Sequence, residues 1–111
     1  MATTTYKVLG QVATAATTET DLYTVPAATQ TVISTVTITN RSTSAAATYR
    51  VSVSVAGAAT ATKDYIIYDS NMPAAGFATL TLGITLGATD KIRVYASNAN
   101  LSFSAFGSEL A

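Results

Sequence analysis

Tyr49-Arg50-Val51-Ser52-Val53-Ser54-Val55 sets apolar residues on one parity and polar residues on the other. Ala78-Thr79-Leu80-Thr81-Leu82-Gly83-Ile84-Thr85-Leu86 repeats the pattern without interruption. A β-strand sends successive side chains to opposite faces, so this alternation predicts one buried face and one wet or contacted face. A helix needs apolar residues three and four apart, and neither stretch supplies them. These two segments decide the fold class as all-β.

The rest of the chain agrees. Residues 31–39 are dense in β-branched side chains, with Val32, Val36 and Ile38 expected on one face. Ile92, Val94 and Ala96 alternate with Lys91, Arg93 and Tyr95, and Leu101, Phe103 and Ala105 alternate with Ser102 and Ser104. The apolar run Tyr65-Ile66-Ile67-Tyr68, between Asp64 and Asp69, suits a strand contacted on both sides. Residues 6–12 and 21–25 are plausible first strands. Turn-forming residues separate the runs, at 26, 40–44, 56–62, 70–76, 87–90 and 97–100. About eight short strands predict a single antiparallel β-sandwich over residues 1–111, immunoglobulin-like or jelly-roll-like. Residues 1–20 are expected as an extended N-terminal arm plus loop, with 13–20 the most mobile part. Val51, Val53, Val55, Leu80, Leu82, Ile84, Ile92 and Val94 are expected to share one core, and Leu82→Ala to damage it.

Composition narrows the function. Of 111 residues only 11% are charged, against about 25% in an average soluble domain. Thr, Ser and Ala take the place of the missing charge. Six basic and six acidic residues cancel, so the surface repels its neighbours weakly and favours association. The plainer alternative is a secreted Thr-rich β protein that stays monomeric. Charge balance gives no case for nucleic acid. No apolar run approaches the ~20 residues of a membrane-spanning helix, and no secretory signal is visible. The chain has no Cys and no His, so no disulfide is expected and the usual zinc and iron ligands are missing.

Candidate chemistry is sparse. Without His, acid–base catalysis needs a carboxylate pair. Asp64 and Asp69 lie at opposite ends of one strand, and their odd spacing puts them on opposite faces. Asp69-Ser70-Asn71 is oxygen-rich but reads as a turn rather than a calcium loop. Asn40-Arg41-Ser42 matches the glycosylation triplet, a short pattern that arises often by chance. Gly83 reads as a close backbone approach and Gly87 as a turn. No catalytic, cofactor-binding or metal residue is expected, and the chain is not expected to be an enzyme. Tyr49, Arg50, Tyr65 and Arg93 are the candidate interface residues, because Tyr and Arg combine large contact area with polar tips. Packing within the sheet is the competing role for each.

The ordered segments Leu22-Tyr23-Thr24-Val25-Pro26-Ala27, Thr48-Tyr49-Arg50-Val51, Asp64-Tyr65-Ile66-Ile67-Tyr68-Asp69, Asp90-Lys91-Ile92-Arg93-Val94-Tyr95 and Leu101-Ser102-Phe103-Ser104-Ala105-Phe106-Gly107 resemble one family. From about Leu22 onward the chain is similar to small virion structural proteins of tailed bacteriophages, of cyanophage type. The resemblance implies a particle component assembled in the host cytoplasm and localised to the virion. Which component it does not say; size, the all-β pattern, the low charge and the resemblance together make a capsid decoration or cement protein the first expectation, homo-oligomeric and trimeric by preference, seated on the major capsid protein. A tail, neck or fibre part is the second expectation and a carbohydrate-binding module the third. No cofactor, nucleic-acid partner or membrane partner is expected.

Overall fold

The computed structural model describes residues 3–111. Its strands are β1 (Thr4–Ala13), β2 (Thr20–Thr24), β3 (Gln30–Asn40), β4 (Ala47–Ser54), β5 (Tyr65–Met72), β6 (Phe77–Leu80), β7 (Ile84–Leu86), β8 (Lys91–Ala96) and β9 (Leu101–Leu110). The described residues hold no α-helix, only single 3-10 turns at Val55–Gly57 and Thr62–Asp64. One sheet has the order β1-β9-β3-β6, with β7 also on β3, and the other β2-β8-β4-β5. Every pairing is antiparallel. Counting β6 and β7 as one interrupted strand, the first strand pairs with the last, the second with the next to last, and so on inward. That is the strand order of a jelly roll, a hairpin rolled into two sheets.

The core lies between the sheets. Ile33, Ile38, Phe103 and Leu101 come from the first sheet and Val51, Ile92, Val94 and Met72 from the second, all essentially solvent-free. Burial of this kind is worth about 1.5–3 kcal/mol for each large aliphatic or aromatic side chain, which is what makes alternation specify the fold. Two glycines let backbones close on each other. A Cβ on Gly10 would sit 2.1 Å from the Leu22 carbonyl oxygen, where β1 abuts β2. A Cβ on Gly107 would sit 2.0 Å from the Val32 carbonyl oxygen.

Several expectations need correction. Residues 78–86 are not one strand. β6 pairs with residues 36–39 of β3 and β7 with residues 31–33, so three residues bridge a gap where β3 supplies two. Gly83 turns the chain through φ +62°, and Leu82 is lifted off the core to 42% exposure. Gly83 therefore serves by its left-handed backbone, with nothing near its missing Cβ, and not by close approach. Val55 is also outside the core, because β4 ends at Ser54 and the chain enters a 3-10 turn. A bulge between Ile33 and Thr35 reverses the face parity of β3. Val32 consequently points outward while Val36 and Ile38 point inward, and Ile33 takes the inner place. β5 is a sheet edge contacted on one side, with Ile66 and Tyr68 exposed, and it runs to Met72 through the expected turn at Asp69-Ser70-Asn71. The first strand, expected over residues 6–12, extends to Thr4–Ala13 and is hydrogen-bonded along β9.

Candidate assembly surface

The two outer faces of the sandwich differ in kind. The face of the β2-β8-β4-β5 sheet carries charge, and the charge is consumed internally. Asp21 bridges Lys91 at 2.7 Å and Arg93 at 2.9 Å, and the Lys91 hydrogen bond leads in holding its carboxyl below the usual range. Arg50 grips Asp69 through two nitrogens and lies over the rings of Tyr68 and Tyr95, 4.3 and 4.2 Å from their centroids. That ion pair lowers the Asp69 pKa and raises that of Arg50. Arg93 ties segment 55–64 to this face, where Ser52 and Ser54 are buried.

The outer face of the β1-β9-β3-β6 sheet carries no charge. Cross-strand register sets its side chains in rows. Thr4, Leu110 and Gln30 form the first, and Tyr6, Ser108, Val32 and Thr85 the second. Val8, Phe106 and Thr35 form the third, and Gln11, Ser104, Thr37 and Thr79 the fourth. Ala13, Ser102, Thr39 and Phe77 complete the fifth. None of the chain's six basic and six acidic residues stands in these rows. Tyr6 is 84% exposed and Phe77 78%, with Val8, Val32 and Leu110 also exposed. A shallow hollow of about 360 Å³ runs between Tyr6, Val32 and Phe106. Exposed apolar groups grouped on a face without charge mark a contact surface rather than a solvated one.

The four candidate interface residues are not on this face. Tyr49 points into the core and is buried, so it has no surface to offer a partner. Arg93 is spent internally: Nε donates to Asp21, Nη1 faces Ser54 Oγ, the Ala58 carbonyl and Thr60 Oγ1, and Nη2 donates to the Gly57 carbonyl. It ties segment 55–64 down. Arg50 is sandwiched as described. Tyr65 is half-buried and meets Tyr68 edge-on, with ring centroids 4.8 Å apart. Their rings and residues 60–62 border a cleft of about 480 Å³. The sequence reading missed Tyr6, Val8, Phe106 and Leu110. The signal was present in β9, where Phe106 and Leu110 fall on the parity of Ser102 and Ser104.

Other motifs resolve into structure. Asn40 is buried, and its Nδ2 faces the carbonyls of Ala45, Pro73 and Met72, so its amide is engaged within the fold. Asp64 accepts from the Ala61 N–H, which holds its carboxyl low, and Asp69 belongs to Arg50. Between the sheets, Tyr23 OH meets Thr31 Oγ1 at 2.9 Å and donates to Glu109, whose other oxygen pairs with Lys7 at 2.8 Å. Burial, then the Glu109 carboxylate, pushes the Tyr23 phenol up to about 12. The Lys7 ammonium, then Tyr23, pulls Glu109 below its ordinary value. The described residues contain no cluster of three or more potential metal ligands, and no helix long and apolar enough to cross a membrane.

No protein-family model and no curated protein matches the chain. Among solved structures it is similar to a pentameric capsid protein isolated from metagenomic phage sequences, at 17% identity and a TM-score of 0.38. That alignment covers 96% of this chain and 59% of the other, so the chain spans under two thirds of that protein's length. A superposition that loose does not equate the two, and the functional reading rests on this chain's own residues.

Proposed function

We propose that the chain is a virion structural protein, a capsid decoration or cement protein that lays its uncharged sheet face against the major capsid protein and stabilises the shell. The observation that carries this is the set of five cross-strand rows without a charge, on a molecule whose charges are otherwise spent on internal partners. Placing such a face on a partner strips water from apolar side chains and Thr hydroxyls, and desolvates no charge. The gain is about 25 cal/mol per Å² of apolar area before association costs, and it repeats at every copy on the shell. The jelly roll is an architecture used by viral capsid and lectin domains, so fold alone does not choose between them. The resemblance of the ordered sequence segments from Leu22 to Gly107 to phage structural proteins supports the first.

A test is to add purified chain to phage heads that lack it and count bound copies. Saturation at hundreds per particle, with heads more resistant to heat, is the expected result. A few copies per particle would move the chain to the tail, neck or fibre. A second reading, a glycan-binding module, draws on the Tyr65–Tyr68 cleft, where aromatic faces stand beside Thr60 and Thr62. Binding on a glycan array abolished by Tyr68→Ala, with no binding to heads, would replace the first reading by the second.

A further inference from the structure

The edges of the two sheets are unequal. β2 is short and bulged at Leu22, and β5 slips register twice beside the Arg50–Asp69 pair. β6 and β7 are four and three residues long, with a kink between them. Short, bulged and charged edges are the usual devices that keep a sheet from pairing with another chain. β1 has them only in its upper half, where a bulge between Val8 and Gly10 turns it against β2. Below that bulge, Thr4-Thr5-Tyr6-Lys7-Val8 is an exposed edge without Pro or Gly. Its single charge, Lys7, is tied to Glu109.

We infer that residues 4–8 of β1 form a pairing edge for the same segment of a second copy of this chain, antiparallel about a twofold axis. The inference rests on the reading of the chain as an assembly protein and gives its contact. Centred on Tyr6, the register sets Tyr6 against Tyr6, Thr4 against Val8 and Thr5 against Lys7. Each Lys7 then faces a Thr, so no like charges stand opposite one another, which is the electrostatic condition for self-pairing. Backbone donors and acceptors along the edge gain partners, and the two uncharged faces join into one continuous plate bearing Tyr6 and Val8 at its centre. A closed ring of three needs two different edges that fit each other, and the remaining edges are the short or bulged ones. The unit is therefore a dimer in place of the expected trimer.

The chain has no Cys, so a single introduced thiol reports its own contacts. Paired Cα atoms in antiparallel strands lie about 4.5–5.5 Å apart, within the span of a disulfide. Tyr6→Cys should oxidise to a covalent dimer, whereas Phe77→Cys, equally exposed on the opposite edge, should stay monomeric on a non-reducing gel. Tyr6→Lys should weaken dimerisation in sedimentation by about tenfold or more, with far-ultraviolet circular dichroism unchanged. Equal cross-linking at both positions, or faster cross-linking through Phe77→Cys, overturns the β1 contact. A wild-type chain that stays monomeric yet binds heads overturns the pairing and leaves the decoration reading standing. A Tyr6-linked dimer that binds no heads does the reverse.

Discussion

Arg93→Ala separates a structural clamp from an interface residue. The guanidinium has five N–H donors, and its Nη1 carries two of them for three acceptors, Ser54 Oγ, the Ala58 carbonyl and Thr60 Oγ1. No more than two of these bonds are made fully at once. With Nη2 to the Gly57 carbonyl, Arg93 makes about three bonds shared between Ser54 and segment 55–64, each worth a net ~0.5–1.5 kcal/mol. The Asp21 contact adds less than ~1 kcal/mol, because Asp21 is 45% exposed and keeps Lys91. The total loss is about 3 kcal/mol, made firmer by the stranding of the buried Ser54 hydroxyl. For a chain of this size that is roughly 12 °C in Tm, or about 1–3 M in the urea midpoint. Arg93→Lys keeps a charge near Asp21 but loses the fork, and should recover less than half of the loss. Urea unfolding followed by tyrosine fluorescence measures both variants, and light scattering on the folded fraction reports assembly. A loss under ~1 kcal/mol, or impaired assembly at unchanged stability, would refute the clamp and restore Arg93 as a contact residue.

Phe103→Ala should cost about 3–5 kcal/mol and Leu82→Ala under ~1 kcal/mol, because the first empties the core and the second trims a lifted loop. Equal losses in chemical denaturation would return Leu82 to the core. Tyr23 binds its proton more tightly folded than unfolded, so its contribution is whole below pH 10 and is lost as pH rises from about 10 to about 12. Glu109 has the opposite sign: its depressed folded pKa adds stability above its ordinary value of 4.5, lost as pH falls below it. Thermal melts across pH should show both slopes, and Tyr23→Phe should abolish the alkaline one and reduce the acid one. Asn40→Ala should cost about 1–3 kcal/mol by removing the side-chain hydrogen bonds to the Ala45 and Pro73 carbonyls and from the Ser42 N–H, while intact mass after expression in a glycosylating host should show the folded wild type unmodified.

Alternation carried most of the fold. Val51, Ile92, Val94, Leu101 and Phe103 were readable as core because the stretches that hold them, Ala47–Val51, Lys91–Ala96 and Leu101–Phe106, alternate strictly between buried and half-buried positions. What escaped was each place where a strand gains or loses one residue. The bulge at Ile33–Thr35 swaps Val32 for Ile33, and the matching kink at Gly83 expels Leu82, yet neither leaves a mark in composition. A one-residue shift reverses every later side chain, so parity read from the middle of a strand fails beyond a bulge. The internal bonds of Arg93 escaped for a different reason. Its partners lie 33 to 72 residues away in sequence, at positions that only the folded sheet brings together.

The uncharged face follows from both limits. Its rows combine the polar parity of β3 and β9 with the outward parity of β1, and short neutral Thr and Ser side chains occupy places that a solvated sheet fills with Lys and Glu. A strand exposed to water gains nothing from Phe106 or Leu110 on its wet side, and the exposed apolar edge at Tyr6 and Val8 invites uncontrolled pairing. Both features become favourable together when the face is covered by a partner and the edge by a second copy. That joint condition ties the assembly reading to the β1 contact. A single charge at Tyr6 should weaken the dimer, and a single charge at Phe106, in the neighbouring row, should weaken seating on the shell while leaving Tyr6-mediated cross-linking intact.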